Sequence, residues 1–223
     1  MTTDDSAARM TIRHVEARTH GRYVVRVPDT GNTWPLLVGF HGYAETAAAH
    51  LDAIGRIPGA DRWLVVAVQA LHPFYTRDQR VVASWMTRDD RELAIADNID
   101  YVGRVLDAVR REWAVTGTTV FAGFSLGGAM AYRAAARYPA DALIVLAADV
   151  PPDVAASTRA LPRVLLGRGT RDEWYTAEKL AADVETLSTR APTAECVFEG
   201  GHEWAPPFCD AAGRLLDELQ SRP

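Results

Sequence analysis

The chain has 223 residues, 48% of them hydrophobic and 24% charged, and a formal net charge of −5. This balance suits one globular domain over residues 1–223 and leaves no basic footprint for nucleic acid. No run approaches the ~20 apolar residues of a membrane span, and the polar stretch Met1 to Arg9 does not read as a signal peptide. Two cysteines, Cys196 and Cys209, are too few for a disulfide framework and fit a reducing, cytoplasmic setting.

Residues 11–17 and 22–27 alternate loosely around Thr19-His20-Gly21, which predicts an antiparallel hairpin at one sheet edge. Pro28 to Asn32 is a turn. Trp34 to Phe40 is apolar on both faces after its proline, as a central strand should be, and it ends in His41-Gly42-Tyr43. A helix is predicted from Thr46 to Ile57 and a buried strand from Trp63 to Val68. Residues 69–88 are the least regular part. Their Phe74, Tyr75 and Trp85 suit the wall of a pocket. Asp90 to Trp113 is the clearest helix, with Ile95, Ile99, Val102, Leu106, Val109 and Trp113 as its core-facing stripe.

Thr118 to Ala122 reads as a buried strand. It turns sharply through Gly123-Phe124-Ser125-Leu126-Gly127 into a small-residue helix, Ala129 to Arg137. In that strand–turn–helix context Gly-x-Ser-x-Gly strains the serine backbone and projects its hydroxyl off the top of a sheet. The Leu126 N–H then lies at a helix N-terminus, where it can meet a developing oxyanion. Further strands are predicted at Ala142 to Ala147, Arg163 to Leu166 and Glu195 to Phe198. Further helices are predicted at Tyr175 to Ser188 and Pro207 to Leu219.

Strands alternating with helices predict a mostly parallel sheet with helices on both faces, and place the site at the carboxyl ends of the strands. His41, Ser125, Asp149, Asp172 and His202 all fall at such ends. A serine nucleophile needs a base, and the base needs an orienting acid, in the chain order serine, acid, histidine. Of the six histidines, His202 alone follows the last strand after paired glycines, which marks it as the base. Asp172, presented by Gly169-Thr170-Arg171, is the leading acid. Asp149 ends a strand and is its rival, and Glu173 is adjacent. His202-Glu203 opens like a zinc-protease helix motif, but Pro206 stands where a second histidine is required, so no metal or other cofactor is expected.

These motifs resemble the carboxylesterase/phospholipase family of α/β hydrolases, which includes acyl-protein thioesterases. The resemblance runs from about Trp34 to the C-terminus. It rests on Phe40-His41-Gly42, Ser84-Trp85, Gly123 to Ala131, Gly169 to Asp172 and Gly200-Gly201-His202-Glu203. It implies an α/β-hydrolase fold without a large lid, a Ser125–His202–Asp172 triad and an oxyanion hole from the Tyr43 and Leu126 N–H groups. Leu126 replaces the family's usual glutamine, Glu173-Trp174-Tyr175 replace small apolar residues, and Tyr43-Ala44 replace Leu-Gly. The short span between Ala147 and Arg163 independently leaves no room for a cap domain.

The expected activity is hydrolysis of small-molecule carboxylic esters through an acyl-enzyme, with thioesters or lysophospholipids as the alternative, by a monomer or homodimer. A ligand-binding protein on the same scaffold is the non-enzymatic alternative; it would be marked by a damaged triad, and all three residues are present. His41, Phe74, Tyr75, Trp85, Trp174 and Trp204 are expected around the pocket. Their bulk, with Tyr43 and the apolar Leu126, predicts a confined pocket for short acyl or small aromatic esters.

Overall fold

The computed structural model describes residues 10–221. Seven strands form one sheet in the order β1-β3-β2-β6-β7-β8-β9. They are β1 (Tyr23–Arg26), β2 (Trp34–Phe40), β3 (Leu64–Val68), β6 (Val115–Phe124), β7 (Ala142–Leu146), β8 (Arg163–Gly169) and β9 (Thr193–Phe198). All neighbours are parallel except β1, which runs antiparallel to β3. Successive side chains on a strand point to opposite faces. Every residue of Leu36 to Phe40, of β3 and of β7 is buried, so the sheet is covered on both sides. Helices α1 (Ala47–Ile54), α2 (Arg91–Glu112), α3 (Leu126–Arg137), α4 (Pro152–Ala155), α5 (Ala177–Leu187) and α6 (Pro206–Gln220) make the connections.

The parallel strands lie where the apolar runs predict them. β6 is longer than its apolar core, because a segment rich in β-branched residues, Val115, Thr116, Thr118 and Thr119, extends the pairing down to Trp34. The chain leaves β2 in one direction to β3 and later returns past β2 to β6. The order therefore reverses between β2 and β6, which is where such sheets open a crevice. Between β7 and β8 only the four-residue α4 and its flanking loops intervene, and no cap domain is inserted.

Three local expectations change. Residues 11–17 form no strand; Met10, Ile12 and Val15 are exposed, and the antiparallel partner of β1 is β3. β3 is apolar throughout, so its flank gains more by pairing with β1 than a weakly alternating segment would. Within 69–88, β4 (His72–Tyr75) and β5 (Val81–Ser84) form a small antiparallel hairpin. On α2 the fully buried face runs through Ala94, Asn98, Tyr101, Val102, Val105, Leu106 and Val109, while Ile95 and Ile99 are only partly buried. A polar residue in the stripe shifts the apparent phase: buried Asn98 donates to the carbonyls of Trp85 and Ala94 and accepts the Leu71 N–H. It thereby ties the 69–88 segment to the helix.

Cys196 and Cys209 are both free thiols. No helix among the described residues is long and apolar enough to cross a membrane.

Candidate active site

Ser125 joins β6 to α3 with φ 51° and ψ −124°. A non-glycine residue there carries about 1–3 kcal/mol of backbone strain. The strain is held by packing on both sides. A side chain at Gly123 would strike the Gly127 carbonyl, and one at Gly127 would strike the carbonyls of Phe40 and His41 at the end of β2. The Ser125 N–H donates to the Leu146 carbonyl and its own carbonyl accepts the Gly128 N–H, both at 2.9 Å. The hydroxyl makes no protein hydrogen bond among the described residues. Leu126 opens α3, so its N–H belongs to the first turn, whose donors lack intrahelical acceptors.

The turn after β8 brings up Asp172, which is 4% exposed. Its Oδ1 accepts the N–H groups of Trp174 and Tyr175, both at 2.9 Å, and its Oδ2 faces His202 Nδ1 at 2.9 Å. A carboxylate only accepts, so His202 Nδ1 is the donor of this bond and Nε2 is the ring nitrogen it leaves over. The two loops meet because residue 169 has no side chain: a Cβ there would collide with the Gly200 and Gly201 carbonyls. The His202 ring lies against Phe124, next to Ser125, with centroids 4.9 Å apart. Asp149 instead pairs with Lys179, 3.1 Å away at the surface.

Residues 173–175 divide by role. Trp174 is 75% exposed. Tyr175 is buried, donates its hydroxyl to Asp183 at 2.8 Å, and has its carbonyl bound by the Arg168 guanidinium. Lys179 also donates to the Trp174 carbonyl. Of the three departures from the small apolar pattern, the Tyr175 side chain is the one that holds the loop.

The turn after β2 is fixed peptide by peptide. In the His41–Gly42 peptide the carbonyl accepts from Trp85 Nε1 at 2.8 Å, and the Gly42 N–H donates to Glu45 Oε2 at 2.7 Å. In the Gly42–Tyr43 peptide the carbonyl lies 2.7 Å from His41 Nδ1. His41 Nε2 accepts the Ala70 N–H at 3.1 Å, so Nδ1 holds the ring proton and donates it to that carbonyl. Burial pushes the His41 pKa down, which keeps this neutral tautomer. A trans peptide points its carbonyl and N–H in opposite directions. Holding Gly42 C=O inward on buried His41 turns the Tyr43 N–H outward, and it has no partner among the described residues.

His41 and Trp85, expected around the pocket, are fully buried and line no open surface. Their polar atoms serve the turn, a role that side-chain type alone does not reveal. Trp204 is partly buried and packs on Phe124, His50 and Phe208. Tyr43, stacked on Phe74 at 5.5 Å, and Tyr75 and Trp174 stand exposed. The expected crowd of aromatics thus splits into buried rings that brace the turn and rings exposed to solvent. Glu45 was not singled out in the sequence; its one signal is a carboxylate three residues after Gly42 in a strand-terminal turn.

No protein-family model matches the chain, and no curated protein matches it. Solved structures match closely in shape. The esterase PE8 superposes with a TM-score of 0.70 at 22% identity, covering 90% of this chain and 100% of its own. The Bacillus cereus carboxylesterase gives 0.74 at 15% identity, over 89% of this chain and 94% of its own. Zea mays acyl-protein thioesterase 2 gives 0.66 at 16% identity, over 90% and 99%. At these identities the shared property is architecture, and that architecture is the α/β-hydrolase fold.

Proposed function

We propose that this protein is a serine hydrolase of carboxylic esters. The Ser125 hydroxyl attacks the ester carbonyl while His202 Nε2 takes its proton. The tetrahedral oxyanion is met by the Tyr43 and Leu126 N–H groups. His202 returns the proton to the leaving alcohol, and water repeats the sequence on the acyl-enzyme. Asp172 holds the imidazole in the required tautomer and stabilises the cation that forms on it. The observation that carries this reading is the Asp172–His202 hydrogen bond, 2.9 Å long, beside a serine at positive φ. Esterase names among the structural neighbours agree with it. A thioester is the second substrate class, favoured by the thioesterase neighbour and served by the same chemistry. The acyl group is proposed to be short or a small aromatic ring, bounded by apolar Leu126 and the exposed Tyr43 and Trp174.

The test is labelling with a fluorophosphonate beside a panel of p-nitrophenyl esters of rising acyl length and one thioester. We expect the label on Ser125 alone, and Ser125→Ala to lose turnover by several orders of magnitude while remaining folded. A label on another serine, or an active Ser125→Ala protein, overturns the assignment. Faster cleavage of palmitoyl than butyryl esters without detergent overturns the acyl preference.

A further inference from the structure

We propose that Glu45 is a positioning residue of the oxyanion hole: its carboxylate clamps the Gly42 N–H and so aims the Tyr43 N–H at the oxyanion. The inference rests on the serine-hydrolase reading above. Two consecutive peptides build this turn. The first, His41–Gly42, has its carbonyl fixed by Trp85 and its N–H fixed by Glu45. The second, Gly42–Tyr43, has its carbonyl fixed by His41. Trp85 and His41 are buried and braced by the core, whereas Glu45 is half-buried at the site edge.

Without the Glu45 carboxylate the Gly42 N–H is a second unpartnered donor two atoms of backbone from Gly42 C=O. The turn also has a reason to relax. Ala44 sits at φ 58°, a left-handed conformation that glycine holds far more readily. Beyond the Trp85 and His41 bonds, relaxation is opposed around Glu45 itself. Its backbone carbonyl accepts the Ala83 N–H at 3.0 Å, the Ala44 N–H donates to the Ala83 carbonyl at 3.1 Å, and its side chain folds back to Gly42 at 2.7 Å. A short hydrogen bond from N–H to a carboxylate is of the stronger, charge-assisted kind.

The surroundings fit a group kept for function. No cationic side chain forms an ion pair with Glu45 among the described residues. Burial raises its pKa above the usual carboxylate range, and the Gly42 N–H and the His202 imidazole pull it back toward the charged form. The Phe124 ring lies between: its edge is 3.1 Å from where a Gly42 Cβ would sit, and it packs on His202. A partly desolvated carboxylate here costs stability, and its visible return is the geometry of one peptide.

The experiment is steady-state kinetics of Glu45→Ala and Glu45→Gln on a p-nitrophenyl butyrate substrate, with inhibition by an arylboronic acid that forms a tetrahedral adduct on the serine. Losing one oxyanion donor typically lowers kcat by ~10²–10³. A misaimed donor should lower kcat of Glu45→Ala by about 10- to 100-fold with KM within about threefold of the parent. Boronate affinity should fall in parallel, and Glu45→Gln, which keeps the acceptor, should recover most of kcat. A Glu45→Ala kcat within twofold of the parent overturns the proposal. So does a Gln variant as impaired as Ala. Should Glu45→Ala not fold, Glu45→Asp replaces it: its carboxylate is one methylene short, and it should lose kcat where Gln does not. Ser125→Ala run alongside separates the failures. Activity surviving in Ser125→Ala defeats the hydrolase mechanism itself, whereas a dead Ser125→Ala with a fully active Glu45→Ala defeats only the role of Glu45.

Discussion

At the scale of single residues, the arrangement turns on which protons each heteroatom holds. Asp172 spends one oxygen on two backbone N–H groups and the other on His202. An asparagine keeps the shape but can offer His202 an N–H, which drives the imidazole into the wrong tautomer. Asp172→Asn should therefore lower kcat by roughly 10³–10⁴. Asp149→Asn loses only an exposed pair with Lys179 and should stay within about twofold, since such pairs contribute little. Rate measurements on the two variants decide between them, and the reverse ranking would make Asp149 the acid.

At the scale of elements, Ser125, Asp172 and His202 each sit where a strand stops and a loop is forced into one path. The β8–α5 loop buries Asp172 and exposes Trp174 two positions later, and the Tyr175 hydroxyl anchors it on Asp183. Trp174 is held by its backbone while its ring stands in solvent, so truncating it should change the rim without disturbing the acid. Trp174→Ala should raise the octanoyl-to-butyryl rate ratio several-fold, with Tm almost unchanged, because an exposed ring contributes little to the core. An unaltered ratio removes Trp174 from the substrate rim. The β4–β5 hairpin shows the same division. Val82 and Ala83 are buried against the body while Tyr75 and Val81 face outward.

At the scale of the whole molecule, covering a sheet on both faces also buries groups that titrate. His50 is 1% exposed, beside Trp204, and burial followed by the nearby His41 pushes its pKa down to about 3. In the unfolded chain it titrates near the ordinary 6.5. The unfolded state therefore binds the extra proton between those values, and stability from a neutral His50 is present above pH 6.5 and lost as pH falls toward 3. The loss is at most about 5 kcal/mol. His41 acts in the same direction, whereas the raised carboxyls of Glu45 and Asp183 act in the opposite one. His50→Gln should flatten the fall of urea-unfolding free energy between pH 6.5 and 4 by up to about 1.4 kcal/mol per pH unit. Identical slopes in the two proteins would show that His50 is not held neutral.

The sequence by itself determined the parallel sheet and the strained serine turn. Fully apolar runs of strand length have no other way to be covered, and Gly123 and Gly127 are required wherever residue 125 turns at positive φ. It also ordered Ser125, Asp172 and His202 at three strand ends, because that information is local: a strand, a glycine, then a polar residue. Only the tertiary structure decided how the turn after β2 is held. Trp85, His41 and Glu45 act on it through hydrogen bonds to backbone atoms of Gly42 and its neighbours. Those bonds depend on three-dimensional approach, which residue type does not encode. The same distinction explains the aromatics. Trp85 and Trp174 read alike along the chain, yet one is fully buried with its Nε1 donating to the His41 carbonyl, and the other is held only by its backbone with its ring in solvent.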